Sequence, residues 1–565
     1  MINLFKQTLL SFLIISISLS SFAQGTAKKE VLKSWYLLDK VQNNYYGISL
    51  DKAYQFVKDK KSKQVVVAVL DNGIDTLHED LKNVLWHNPK EIPGNGIDDD
   101  HNGYIDDVYG WNFIGGKDGK NVEKDTDEGE RVYHRLKAKY GANPPDPSSA
   151  KTPEEKAEIE MYIKVKEKIE TAVDLADILF IQRILPVLKK GDSIISKELK
   201  KVTYTCDDLK NYFPLNVYAS NAKSIHLSTC KLNNKDNITN KEVIEIYEKE
   251  IRKAEAVDHA PKDLRGEIVK DDESNINDRY YGNNDVKTSA PFHGTHTSGI
   301  IAASRNNGKG MNGIADNVKI MMVRMLADAD EHDKDVALAI RYAVDNGAQI
   351  ISMSFGKYFS PQKKWVDDAI KYAESKGVLM VHAAGNDHIN NDTATSYPTP
   401  VYLDGGKSAT FISVGASSDP KLVQTSNGEQ VKDYVAAFSN YGKKEVDVFA
   451  PGVEIYSTVP GNSYDAYDGT SMAAPVVAGI AAFLLEYYPE LSAKQLKYII
   501  EKSVVPVKEK VLLPGTDEKV NMSDISKSAG IVNAYEAVKL AATIKGERNK
   551  LPVIIKPKIV NTKKG

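Results

Sequence analysis

The sequence predicts a doubly wound α/β domain, a parallel sheet with helices on both faces, interrupted by a largely α-helical insertion. Three observations carry this. Continuous apolar runs, of the kind a strand buried on both faces shows, recur at Gln64–Leu70, Val318–Val323, Gln349–Gly356 and Val378–Asn386. Helical patterns of about ten residues separate the later runs, and strands alternating with such helices argue for a parallel sheet. Between the first run and the second, the chain turns charged and polar from about Lys117 and shows helical periodicity.

The elements follow in order. Residues 1–23 read as a secretory signal: one basic residue, Lys6, an apolar stretch Leu9–Leu19 and a small-x-small end at Ser21-Phe22-Ala23. An N-terminal segment, 24–63, is expected to pack on the sheet-bearing domain through Trp35, Leu37 and Tyr54, and that domain itself takes 64–117 and 276–545. Within the insertion, 118–275, Thr152-Pro153-Glu154-Glu155 starts a helix with a cap, a first-position proline and acids at the positive end. That helix is expected to run past Phe180 toward Pro186, with a second near Glu242–Ala256. After the insertion come helices at Asp335–Asp345 and at Lys364–Lys376, the latter stopped by Gly377. Later strands are expected at Ala409–Val414 and Glu445–Phe449, and 546–565 reads as a basic tail.

Chemistry gathers at the ends of these elements. The first strand ends in Asp71, where open α/β sheets place their sites. His293 stands at the mouth of a small-residue helix, Phe292-His293-Gly294-Thr295-His296. Ser471, in Gly469-Thr470-Ser471-Met472-Ala473-Ala474-Pro475, begins an apolar helix whose unpaired amides can face an oxyanion. A carboxylate, a base and a hydroxyl are the parts of nucleophilic catalysis.

On these three segments the chain resembles the subtilisin-like serine peptidases, and the order Asp…His…Ser is that family's order. The resemblance implies Asp71, His293 and Ser471 as the triad and Asn386, in Gly385-Asn386-Asp387, as an oxyanion donor. It also implies that Ser354-Phe355-Gly356 pairs with extended substrate and that Ala383-Ala384-Gly385 forms the opposite wall of the primary pocket. Strand-like pairing reads little sequence, and the apolar walls suggest a hydrophobic residue before the scissile bond. Asn72, Ser352 and Thr297-Ser298 depart from the family pattern, and none is expected to touch the reacting atoms. His293-x-x-His296 is one residue short of a zincin pair and lacks its glutamate.

Asp98, Asp100, Asn102 and Asp106 follow the start of a calcium loop around Gly103, though Tyr109 stands where an EF-hand glutamate would be, so a structural calcium is expected there and no catalytic cofactor. Cys206 and Cys230, the two cysteines, are open between one disulfide and two thiols. Asp71 and His293 lie 222 residues apart, so the insertion leaves and returns where two side chains must meet, and is read as docking or gating substrates. Lys plus Arg of 74 against Asp plus Glu of 77 gives −3, which argues against a nucleic-acid partner. Protein or peptide substrates, no transmembrane segment after signal removal and a periplasmic or extracellular location complete the expectation.

Overall fold

A computed structural model describes residues 32–172, 175–233, 238–288, 291–422 and 431–548. The signal segment 1–23 and all but three residues of the tail 546–565 lie outside the described residues. Thirteen strands are present among them: β1 Val65–Asp71, β2 Gly110–Asn112, β3 Val318–Arg324, β4 Ile350–Met353, β5 Leu379–Ala383, β6 Phe411–Ser417, β7 Val448–Pro451, β8 Ile455–Val459, β9 Ser463–Tyr467, β10 Val505–Pro506, β11 Val511–Leu512, β12 Lys519–Val520 and β13 Gly530–Ile531.

Nine of these form one sheet in the order β10-β13-β7-β6-β5-β4-β1-β3-β2. All neighbours are parallel except β10 and β13. The chain leaves β1 toward β3 and β2 on one side, and β4 to β7 build outward on the other. The reversal falls between β1 and β4, whose register sets Leu70 opposite Met353. Ligands of such sheets bind beyond the strand ends at this point, and Asp71 ends β1 there.

The apolar runs are strands because both faces are covered: every residue of β4, β5 and β6 is buried. The helix Thr470–Tyr487 packs on the sheet, which is why its sequence is apolar nearly all round. It is the one helix among the described residues long and apolar enough to cross a membrane, yet 89% of it is buried. The hairpin β8–β9, not expected from the sequence, ties down the helix Phe292–Ala302: Ser457 Oγ donates to His296 O (2.7 Å) and Thr458 Oγ1 to Thr295 O (2.8 Å). The N-terminal segment lies in the same unit. Trp35, fully buried, donates from Nε1 to Val453 O (3.0 Å), Tyr36 OH donates to Tyr456 O (3.1 Å), and Tyr54 OH donates to Ile314 O (2.9 Å).

The chain divides into two compact units, one holding Gly129–Lys262 and the other Lys33–Glu128, Asp263–Lys421 and the residues from Val431 onward. The first is helical. Its long helices are Glu128–Tyr140, Pro153–Ala172, Leu175–Leu199, Val217–Asn233 and Asn240–Asp258. The single helix expected from Pro153 is thus two, and Pro186 falls inside the second without ending it. The last begins with a capping box in which Thr239 accepts from the Glu242 amide and Glu242 reaches back to the Thr239 N–H. Leu188, Ile195, Tyr204, Leu209 and Val243 form its core, and Cys206 and Cys230 are joined as a disulfide with Cα atoms 6.5 Å apart.

The stretches 118–128 and 263–275, assigned to the insertion from sequence, belong instead to the sheet-bearing unit. Buried charge holds them. His332, just ahead of the helix Asp333–Asp345, meets Asp125 with Nε2 (2.9 Å) and Glu273 with Nδ1 (2.5 Å). Arg265 pairs with Asp271 and Asp335 (both 3.0 Å), Lys334 with Asp271 (2.6 Å), and Lys357 with Glu128 (3.0 Å) and Asp333 (2.9 Å). Composition could not place these acids and bases, because most of the pairs lie far apart in sequence, from 59 residues for His332 and Glu273 to 229 for Lys357 and Glu128.

Candidate active site

Asp71 and His293 meet. His293 Nδ1 lies 2.9 Å from Asp71 Oδ1 and 3.0 Å from Oδ2. Gly294 permits this approach, since a Cβ there would stand 2.2 Å from Gly73 O. Asp71 is buried and further oriented by the Asn72 amide (2.7 Å to Oδ1) and by Thr297 Oγ1 (3.3 Å to Oδ2). Asn72 Oδ1 in turn accepts from the Gly294 amide at 3.0 Å. Two of the departures from the family pattern, Asn72 and Thr297, therefore do bear on the site. Ser352 is a buried residue of β4.

The His293 side chain is 32% exposed. Burial works against its protonation, but the charge of Asp71 and the hydrogen bond to it more than offset this, and the His293 pKa stands above the ordinary imidazole value. An Nδ1–H donated to Asp71 leaves Nε2 as the ring's acceptor.

Ser471 sits in the first turn of its helix, ahead of the first intrahelical bond, so its amide is available to a ligand. Ser354 and Ser471 hold each other: Ser354 Oγ donates to Ser471 O (2.9 Å) and Ser471 Oγ donates to Ser354 O (3.1 Å). Among the described residues no hydrogen bond links Ser471 to His293, whose meeting would need the hydroxyl to turn away from Ser354.

Asn386 is exposed, beyond the end of β5. Its Oδ1 accepts from both the Thr470 amide (2.8 Å) and the Thr470 hydroxyl (2.9 Å), and Thr470 Oγ1 accepts from the Gly385 amide (3.2 Å). The arrangement fixes the carboxamide, leaving Nδ2 to donate. Gly385 has φ +111°, and a Cβ on it would strike Asn440 Nδ2 at 2.3 Å, so glycine is required at this turn.

Ser354, Phe355 and Gly356 follow β4, while Ala383 ends β5 and Ala384 and Gly385 follow it; the two strands are parallel neighbours. The sequence reading missed His382, one residue before the second segment, whose Nε2 bonds Phe355 O across to the first (2.8 Å).

In the acidic loop, carboxylate oxygens of Glu91, Asp98 and Asp100 lie within 4.8 Å of one another. Glu91 was not among the expected ligands, and Asp106 is not in this group. Asp106 turns its carboxylate onto the amides of Gly94, Asn95 and Gly96 (2.7, 3.2 and 2.8 Å). Asn102 Oδ1 accepts from the Tyr104 amide and its Nδ2 donates to Asp107. Three carboxylates suit a hard cation such as calcium.

A parallel sheet with a carboxylate–imidazole pair at its switch point and a serine heading the central helix is the arrangement of a subtilisin-like fold. The family model described as subtilase matches residues 62–531, and the chain belongs to that family. It is 35% identical over 283 residues to a thermophilic serine proteinase of Bacillus sp. (strain AK1), a match covering 50% of this chain and 59% of that protein. Thermitase of Thermoactinomyces vulgaris is 36% identical over 247 residues, 44% of this chain and 74% of thermitase. Subtilisin NAT of Bacillus subtilis subsp. natto is 36% identical over 215 residues, 37% of this chain and 50% of that one.

Proposed function

We propose that the protein is an exported serine endopeptidase acting through Asp71, His293 and Ser471. His293 Nε2 takes the Ser471 proton as Oγ attacks the peptide carbonyl. The imidazolium then gives that proton to the departing amine, and water, activated by the same ring, releases the acyl group. Asn386 Nδ2 and the Ser471 amide hold the oxyanion. The carrying observation is the 2.9 Å contact between Asp71 and His293, made across the 222-residue separation.

Peptide or protein substrate lies as an added strand between Ser354-Phe355-Gly356 and Ala383-Ala384-Gly385. Calcium at Glu91, Asp98 and Asp100 stabilises the loop and takes no part in the reaction. Export to the periplasm or beyond is supported by the signal-like residues 1–23 and by the Cys206–Cys230 disulfide. The helical unit docks or gates large substrates. A fluorophosphonate probe tests the reading: it should label Ser471, and Ser471→Ala should abolish both labelling and casein hydrolysis while leaving the melting temperature nearly unchanged. A folded wild type that takes no label is not this enzyme.

A further inference from the structure

The strand β3 ends on a buried cation. Arg324, 1% exposed, stands in register between Asp71 at the end of β1 and Asn112 at the end of β2. Burying a guanidinium is costly unless its N–H groups are answered, and here three acceptors answer them. Nε donates to Asn72 O (3.2 Å), Nη1 to Asn112 Oδ1 (3.1 Å) and Nη2 to Val122 O (2.7 Å). The ion pair with Glu123 is looser, at 3.8 Å and with that carboxylate 39% exposed. Burial pulls the Arg324 pKa down to about 10 against the charges of Glu123 and Asp285, so the side chain stays cationic at neutral pH.

These bonds lead in two directions. Toward the site, Asn72 joins both members of the Asp71–His293 pair: its amide donates to the Asp71 carboxylate (2.7 Å), and its Oδ1 accepts from the amide of Gly294, next to His293 (3.0 Å). With its carbonyl bonded by Arg324 as well, the peptide groups on both sides of Asn72 are held. Away from the site, the fully buried Asn112 donates from Nδ2 to Asn121 Oδ1 (2.7 Å) and Asn283 Oδ1 (2.9 Å), and Asn121 Nδ2 donates on to Asp285 (2.8 Å). One side chain therefore ties the turn after Asp71 to the stretch 112–122 that leads out of the sheet. An apolar residue at 324 would bond none of the three acceptors, and a lysine ammonium lacks the fixed planar fork that spans them.

We propose that Arg324 is a positioning residue of the reaction: it acts through Asn72 to keep Asp71 on His293 Nδ1, and takes its own anchorage from Asn112 and Val122. The proposal rests on the endopeptidase reading. Steady-state kinetics on one peptide tests it, with Arg324→Met, Arg324→Lys and Asp71→Asn made singly and each Arg324 variant combined with Asp71→Asn. A misplacement of about 1 Å can cost about a hundredfold, so Arg324→Met should lower kcat by about ten- to a hundredfold with KM nearly unchanged, and Arg324→Lys should recover part of the loss. Because the effect passes through Asp71, Arg324→Met should cost almost nothing further in the Asp71→Asn enzyme. A folded Arg324→Met enzyme with wild-type kcat overturns the proposal, as does a loss of equal size with and without Asp71. Should Arg324→Met fail to fold, Arg324→Lys, which keeps the charge, carries the same cycle: it should lose about threefold or more in kcat, and only while Asp71 is present, and wild-type kcat in it overturns the proposal equally. If wild type neither takes a fluorophosphonate label nor cleaves the peptide, the endopeptidase reading itself has failed, and this inference fails with it.

Discussion

Thr470 grips Asn386 twice, its amide and its hydroxyl both donating to the same Oδ1 at 2.8 and 2.9 Å. The residue beside the nucleophile therefore orients the side chain that would face the oxyanion. Asn386→Leu should lower kcat by about a hundred- to a thousandfold with little change in KM. Thr470→Val, which removes one of the two bonds, should cost about tenfold, within the range of one hydrogen bond. Steady-state kinetics on one peptide checks both; a Thr470→Val enzyme with wild-type kcat would show that the grip does not matter.

Asp71 raises the His293 pKa, and the base must be neutral to act, so activity should rise with pH through a midpoint above the ordinary value of about 6.5. Asp71→Asn should move that midpoint down and lower kcat on the order of 10⁴-fold. The same shift makes the pair a stabilising contact below about pH 6.5 that fades as pH rises through the folded-state value. A pH–rate profile unmoved by Asp71→Asn would count against the assignment.

If Glu91, Asp98 and Asp100 hold calcium, excess chelator should lower the melting temperature and speed autolysis without acting as a reversible inhibitor. Asp98→Asn with Asp100→Asn should melt alike with and without chelator. An unchanged wild-type melting curve would leave the loop held by its own hydrogen bonds alone.

Glu486 is fully buried, and burial, followed by the neighbouring Asp316 carboxylate, pushes its pKa up to about 9. Between the ordinary carboxylate range, about 4.3, and pH 9 the folded chain keeps a proton that the unfolded chain releases, so stability falls as pH rises through that window. Glu486→Gln should therefore gain melting temperature over wild type progressively from pH 5 to pH 9. A constant difference measured by calorimetry at pH 5, 7 and 9 would show that Glu486 does not titrate there.

Where the helical unit is cut should decide whether the rest survives. Replacing 129–262 by a short Gly/Ser bridge spares Asp125, Glu128, Arg265, Asp271 and Glu273, and should leave fluorophosphonate labelling of Ser471 intact. Replacing 118–275 strips buried His332, Lys334 and Asp335 of these partners and leaves Lys357 only Asp333, a loss of several kcal/mol for each charge left uncompensated, and should abolish soluble folding. With the shorter deletion, the ratio of protein to peptide turnover reads the gating role: a rise supports a gate and an unchanged ratio supports docking or stabilisation.

The sheet was legible in its apolar runs, and the triad positions and Asn386 were assigned through short motifs that resemble those of the subtilisin-like family, each local to a few positions. Thr297 was noted only as a departure from the family pattern, and the roles of Thr470 and of the Ser354 hydroxyl were not foreseen, since their partners lie far away in sequence. Glu91 stands seven residues before Asp98 and joins the acids only through the fold of the loop. The buried ion pairs around His332, Lys334 and Lys357 were invisible for the same reason: an acid and a base dozens to hundreds of positions apart look like two solvated charges.

His332 receives the outgoing segment at Asp125 and the returning one at Glu273 on the two nitrogens of a single ring. A segment that departs and comes back at one side chain imposes no change of register on the sheet, whatever its length. Such a port leaves what hangs between Asp125 and Glu273 free of any length requirement from the Asp71–His293 contact.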